Sequence, residues 1–105
     1  VDNKFLKDMI KDEMENAKEY ATQALEEKTS HPKWANKLME MSERTQKHVE
    51  VLHEMLKEQH DEEKKYPTMA TYSTGDYDSE YKELVDDYAD KASKIRSMKE
   101  MYYRR

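Results

Sequence analysis

Cysteine is absent, glycine occurs once, proline twice, and phenylalanine and tryptophan once each. Without thiols there is no disulfide framework and no thiolate ligand for a metal, which fits a reducing compartment. So little glycine and proline leaves few residues for the turns of a β fold and favours helix. Long apolar runs are missing too: none approaches the roughly 20 residues that span a bilayer. The opening stretch Val1–Ile10 is interrupted by charge and does not read as a signal peptide. Nor is there a basic excess. Nineteen Lys and Arg stand against twenty-four Asp and Glu, a net charge of −5, so no binding of nucleic acid through phosphate neutralisation is expected. These absences point to a soluble, intracellular, helical protein.

What is present is charge and period. Charged residues make up 41% of 105, a composition shared with disordered chains. Regular apolar stripes argue for a folded chain instead, because disordered segments lack such periodicity. The length suits one domain. The pattern predicts an all-α fold of three long helices over about 3–28, 32–64 and 76–103, with a linker over about 65–75. Asp2 or Asn3 can cap the first helix and Ser30 or His31 the second, where Pro32 suits the first turn. A second helix of that length should overhang the core with its last turns, His60 to Lys65. The linker holds the single glycine and several Thr and Ser. The third helix is polarised: residues 76–90 carry seven acids and one lysine, 91–105 six bases and one acid. That order complements the helix dipole.

Two polar residues fall on the expected buried seams. The first helix reads Leu6, Ile10, Glu13, Ala17, Tyr20, Ala24, and the second Trp34, Leu38, Met41, Thr45, His48, Leu52, Met55. The third reads Tyr77, Tyr81, Leu84, Tyr88, Ala92, Ile95, Met98, Tyr102. A carboxylate and an imidazole on facing seams are half of what a metal centre inside a helical bundle needs, or a buried pair hydrogen-bonded to each other or to a seam tyrosine such as Tyr20 or Tyr88. The more conspicuous Glu50-x-x-His53 has the spacing of di-metal bundles, yet its register turns both residues away from the seam. His60-Asp61-Glu62-Glu63 reads as a solvated helix end. Asp86, Asp87 and Asp90 read as an acidic exposed stripe with at most weak affinity for a cation. No nucleophile can be placed beside a base and there is no phosphate loop, so a hydrolase or transferase is not expected.

The pattern Glu13-x6-Tyr20, a Pro-containing turn, and His48 followed by Leu52 resembles the ferritin and rubrerythrin-like superfamily. More closely, Ile10-Lys-Asp-Glu-Met-Glu-Asn-Ala-Lys-Glu-Tyr-Ala, His31-Pro-Lys-Trp-Ala-Asn-Lys-Leu, His48-Val-Glu-Val-Leu-His-Glu-Met and Ile95-Arg-Ser-Met-Lys-Glu-Met-Tyr resemble small ferritin-like proteins of phages and prophages of gut Firmicutes. The likeness covers most of the chain outside Met69 to Glu80, through short motifs. It implies a ferritin-like antiparallel helical bundle that a second copy would complete, with Glu at the positions of Glu13 and Thr45 and His at that of His48. This chain departs at Thr45, and without a bridging carboxylate two metals are not held together.

The expectation is therefore a non-enzymatic interaction or structural accessory protein of phage type, in the host cytoplasm or the virion, with a degenerate site at Glu13 and His48 and no cofactor. Its partner would be another protein or a second copy, with no membrane and no direct nucleic-acid contact. The surface expected to serve is formed by Tyr66, Tyr72 and Tyr77 with Asp86, Asp87 and Asp90, since aromatic residues anchor interfaces. One alternative is a di-metal carboxylate protein or oxidoreductase holding iron or manganese. Another is a phage inhibitor of a host defence protein whose acidic stripe imitates nucleic acid.

Overall fold

A computed structural model of the chain describes residues 3–65 and 77–104, with side chains over 3–62 and 81–104. These form three helices, α1 (Asn3–Glu27), α2 (Pro32–Lys65) and α3 (Tyr77–Tyr103), and no strand is found among the described residues. The linker tyrosines Tyr66 and Tyr72, the linker itself and the candidate cap Asp2 lie outside the described residues, as does the side chain of Tyr77. No helix among those described is long and apolar enough to cross a membrane.

The turn between α1 and α2 shows why the chain reverses there. His31 N–H donates to the Glu27 carbonyl at 2.8 Å, and the His31 carbonyl accepts the first bond of α2 from Ala35 N–H at 2.9 Å. His31 is thus the N-cap, and Pro32 fills the position where a missing donor costs nothing. Its ring bonds Glu27 Oε2 at 2.6 Å and stacks on Trp34 with centroids 4.1 Å apart, which braces the turn.

α1 and α2 run antiparallel and close together. Ser42 donates its hydroxyl to the Ala17 carbonyl at 2.7 Å, an approach that small side chains permit: Ala17, Ala21, Ala24, Ala35 and Ser42 are fully buried. α3 runs parallel to α1, because Glu15 pairs with Lys91 and Lys28 reaches the end of α3. Lys28 Nζ donates to the Arg104 carbonyl at 2.9 Å, placing a cation at the negative end of the α3 dipole. Long side chains bridge α3 to α2: Tyr102 donates to Asn36, Tyr103 to Glu43 at 3.1 Å, and Lys99 pairs with Glu43 at 3.3 Å.

The α3 seam lies inward. Leu84, Ile95 and Tyr102 are buried, with Tyr81, Tyr88, Ala92 and Met98 packed against them. The other two seams are turned from where the periodicity suggested. In α1 the buried positions are Leu6, Ile10, Met14, Ala17, Ala21 and Ala24, so Met14 and Ala21 take the places expected for Glu13 and Tyr20. In α2 they include Ala35, Met39, Ser42, Val49, Leu56 and His60, a rotation by one residue or about 100°. Trp34, Met41, His48 and Met55 consequently face solvent. The end of α2 is not a bare overhang either, since His60 is only 5% exposed and its ring lies flat on Tyr81 at 4.2 Å. Asp61 and Glu62 beside it are exposed.

Candidate functional site

The candidate pair does not meet in the core of the chain. Glu13 is half-buried and His48 exposed, because α2 turns Val49 inward in its place. Among the described residues, no hydrogen bond or ion pair joins either to the other, to Tyr20 or to Tyr88. No three His, Asp or Glu side chains among those residues are grouped to hold a metal ion. Glu50 faces solvent as its register predicts, and Thr45 is half-buried.

Two histidines expected to face solvent, His53 and His60, lie instead between α2 and α3. His53 meets the Tyr88 ring edge-on at 4.8 Å, and one double-turn further along, His60 stacks on Tyr81 at 4.2 Å. Both pairs follow from a seven-residue spacing on each helix, since equal steps along antiparallel helices return facing residues to register. That coincidence of His53/His60 with Tyr81/Tyr88 was the available signal. Residue size masks it, because Trp34, Met41 and Met55 of α2 lie on the neighbouring, exposed stripe.

Electrostatics follow from burial. Desolvation pushes the His53 imidazole below its usual pKa of 6.5, against a smaller opposing effect of its own backbone. Its Nε2 is buried without a hydrogen-bond partner, an arrangement that costs roughly 1–3 kcal/mol. The Tyr88 hydroxyl is pushed up by burial and by nearby Glu50, and that of Tyr81 by burial and by Asp61, so both phenols stay neutral at physiological pH.

Because the folded-state pKa of His53 lies below its unfolded value, protonation favours the unfolded chain. Its stability contribution is fully present above about pH 6.5 and is lost as pH falls through the lowered folded value. His53→Phe keeps a ring against Tyr88 and removes the unpartnered nitrogen. The variant should match or exceed the parent in melting temperature at pH 7.5 and lose less of it at pH 5.5. Equal losses in the two proteins would mean that His53 does not carry the acid sensitivity.

The acidic surface of α3 is largely engaged by its own helix. Asp87 pairs with Lys91 at 3.2 Å and Asp90 with Lys94 at 3.1 Å, while Asp86 is exposed. Burial works against the Lys91 ammonium, but hydrogen bonds and charge from Asp87 and Glu15 outweigh it and raise its pKa. The Glu15–Lys91–Asp87 bridge thus ties α3 to α1. Clefts in the surface are shallow and mixed in character. One of 490 Å³ between α2 and α3 is lined by residues including Gln46, Glu50, Tyr88 and Arg96, and converges on no reactive group.

Compared with protein-family models, curated proteins and solved structures, the chain matches none.

Proposed function

We propose that this is a non-enzymatic interaction or structural accessory protein of phage type, built on a ferritin-like hairpin whose metal site has degenerated. The observation that carries the reading is the apolar stripe α2 turns to solvent. Trp34, Met41 and Met55 are 60, 39 and 42% exposed. Large apolar side chains repeated along one helix face, outside the core, are the mark of a surface that binds protein. The separated positions of Glu13 and His48, with Thr45 where a bridging carboxylate would stand, support the degenerate site.

Metal content tests this reading against its strongest alternative. Protein purified without chelator is expected to carry far less than one iron or manganese per chain, unchanged in Glu13→Ala and His48→Ala. Stoichiometric metal that disappears in both variants would make the protein a carboxylate–histidine metalloprotein instead. On the surface itself, Met41→Lys should abolish protein binding while leaving the helical circular dichroism of the parent.

A further inference from the structure

The outer side of α2 carries two columns of seven-residue spacing. Trp34, Met41, His48 and Met55 form one; Lys37, Arg44, Val51 and Glu58, three residues on from each, form the other. All eight side chains are exposed. Residues three and four apart share one face of a helix, so the columns adjoin and make a single ridge about three heptads long. Apolar residues that keep this repeat on an exposed helix face match the seam of another helix.

The charge around this ridge is not what α2 needs for itself. Its first turn carries Lys33 and no acid, against the preference of a helix N-terminus for negative charge. Lys33, Lys37, Arg44 and Lys47 are exposed, and among the described residues none of them makes an ion pair. The neighbouring helix does not compensate them. α3 runs antiparallel to α2 and lays its own basic half alongside, five cations and one acid over 91–104. Of the two acids in the first half of α2, Glu43 is taken up by Lys99 and Tyr103. Four cations thus surround Trp34 and Met41 with Glu40 as the one remaining carboxylate among them.

From these columns we infer that the outer face of α2 takes an amphipathic helix of a different protein, apolar along its seam and acidic on its flanks. The inference rests on the interaction reading above and adds the chemistry of the partner. Trp34, Met41 and Met55 meet the seam. The unpaired cations meet the flanking carboxylates at the rim of the contact, where charge governs encounter and partner choice.

Other anionic surfaces fit this ridge less well. His31 stacks on Trp34 at 4.1 Å, so one face of the indole is already covered, and Met41 and Met55 give a nucleic-acid base no ring to stack on. A flat anionic membrane lying along the ridge would press on exposed Glu54 and Glu58, which follow on the same side. A helix meets neither obstacle, because its carboxylates can stop where the cations stop.

Trp34 is the only tryptophan and stands on this ridge, so its fluorescence reports docking on the full chain. The probe is a synthetic, tryptophan-free helix of about three heptads with leucine on its seam and glutamate on its flanks, whose copies repel one another. It should bind with a Kd of about 10–100 µM, shift Trp34 emission to the blue, and weaken several-fold between about 50 and 300 mM salt. The same helix with lysine flanks, and an acidic peptide with its seam scrambled, should each bind roughly ten-fold more weakly or worse. Lys37→Glu combined with Arg44→Glu should cost about ten-fold in affinity and keep the parent's circular dichroism. Equal binding of the glutamate and lysine helices, or no response to either at about 1 mM, overturns the inference. So does a Trp34 shift confined to phosphatidylglycerol vesicles, to oligothymidylate or to rising concentration of the chain alone, which gives the face to a membrane, a single strand or a second copy. A protein partner lost in Met41→Lys but indifferent to Lys37→Glu and Arg44→Glu would overturn the acidic chemistry and leave the interaction reading standing.

Discussion

Ile95→Ala is expected to lower stability by about 2–4 kcal/mol and the melting midpoint by roughly 10–20 °C. Ile95 is fully buried and lies on the α3 seam at the seven-residue step between Tyr88 and Tyr102, within the same hydrophobic cluster. Truncation removes its transfer energy and leaves a cavity that the surrounding core only partly relaxes to fill. Because α3 is held to α2 mainly through long side chains, loosening should be greatest there. Hydrogen exchange should rise in α3 before it rises at the α1–α2 contact. Uniform acceleration across all three helices would instead make the bundle one cooperative unit.

The second large effect is expected from adding bulk. Ala17→Leu should cost about 1–3 kcal/mol or more, because Ala17 is fully buried and its carbonyl receives the Ser42 hydroxyl at 2.7 Å. A larger side chain can be housed only by forcing α1 and α2 apart, which also breaks that bond. Asn16→Leu, one residue away on an exposed position, is the control and should shift stability by no more than about 0.5 kcal/mol. Denaturant titration of the two variants checks the pair. If Ala17→Leu behaves like Asn16→Leu, the close packing of the hairpin is not what stabilises it.

These contrasts also explain which features were legible beforehand. The break between α1 and α2 was visible because Pro32 interrupts strong periodic segments: α1 ends at Glu27 and α2 begins at Pro32. The α3 seam was legible because its large residues are also its inward ones. The inner face of α2 was not. There Trp34, Met41 and Met55 stay outside and Leu38 and Leu52 are only partly buried, while the stripe that packs on α1 carries the weak signals of Ala35 and Ser42. A reading by hydrophobicity favours size, whereas the closest helix contact favours smallness.

The rotation of α2 by one residue also repositions its histidines. Once Val49 replaces His48 as the inward residue, His53 and His60 turn toward α3, and two histidines expected in solvent become ring partners of Tyr88 and Tyr81. In α1 the shift is gentler. Glu13 to Met14 and Tyr20 to Ala21 is the drift between a strict seven-residue repeat and a helix of 3.6 residues per turn.

The order of residues by itself determined three helices, the break between the first two at Pro32, and a heptad spacing along each. It left open which of two neighbouring stripes on α2 would be buried, because both keep the same period. Tertiary structure decided that, through the close contact of Ser42 with Ala17. In settling it, the fold packed His53 and His60 against the tyrosines of α3 and left His48, Trp34, Met41 and Met55 exposed.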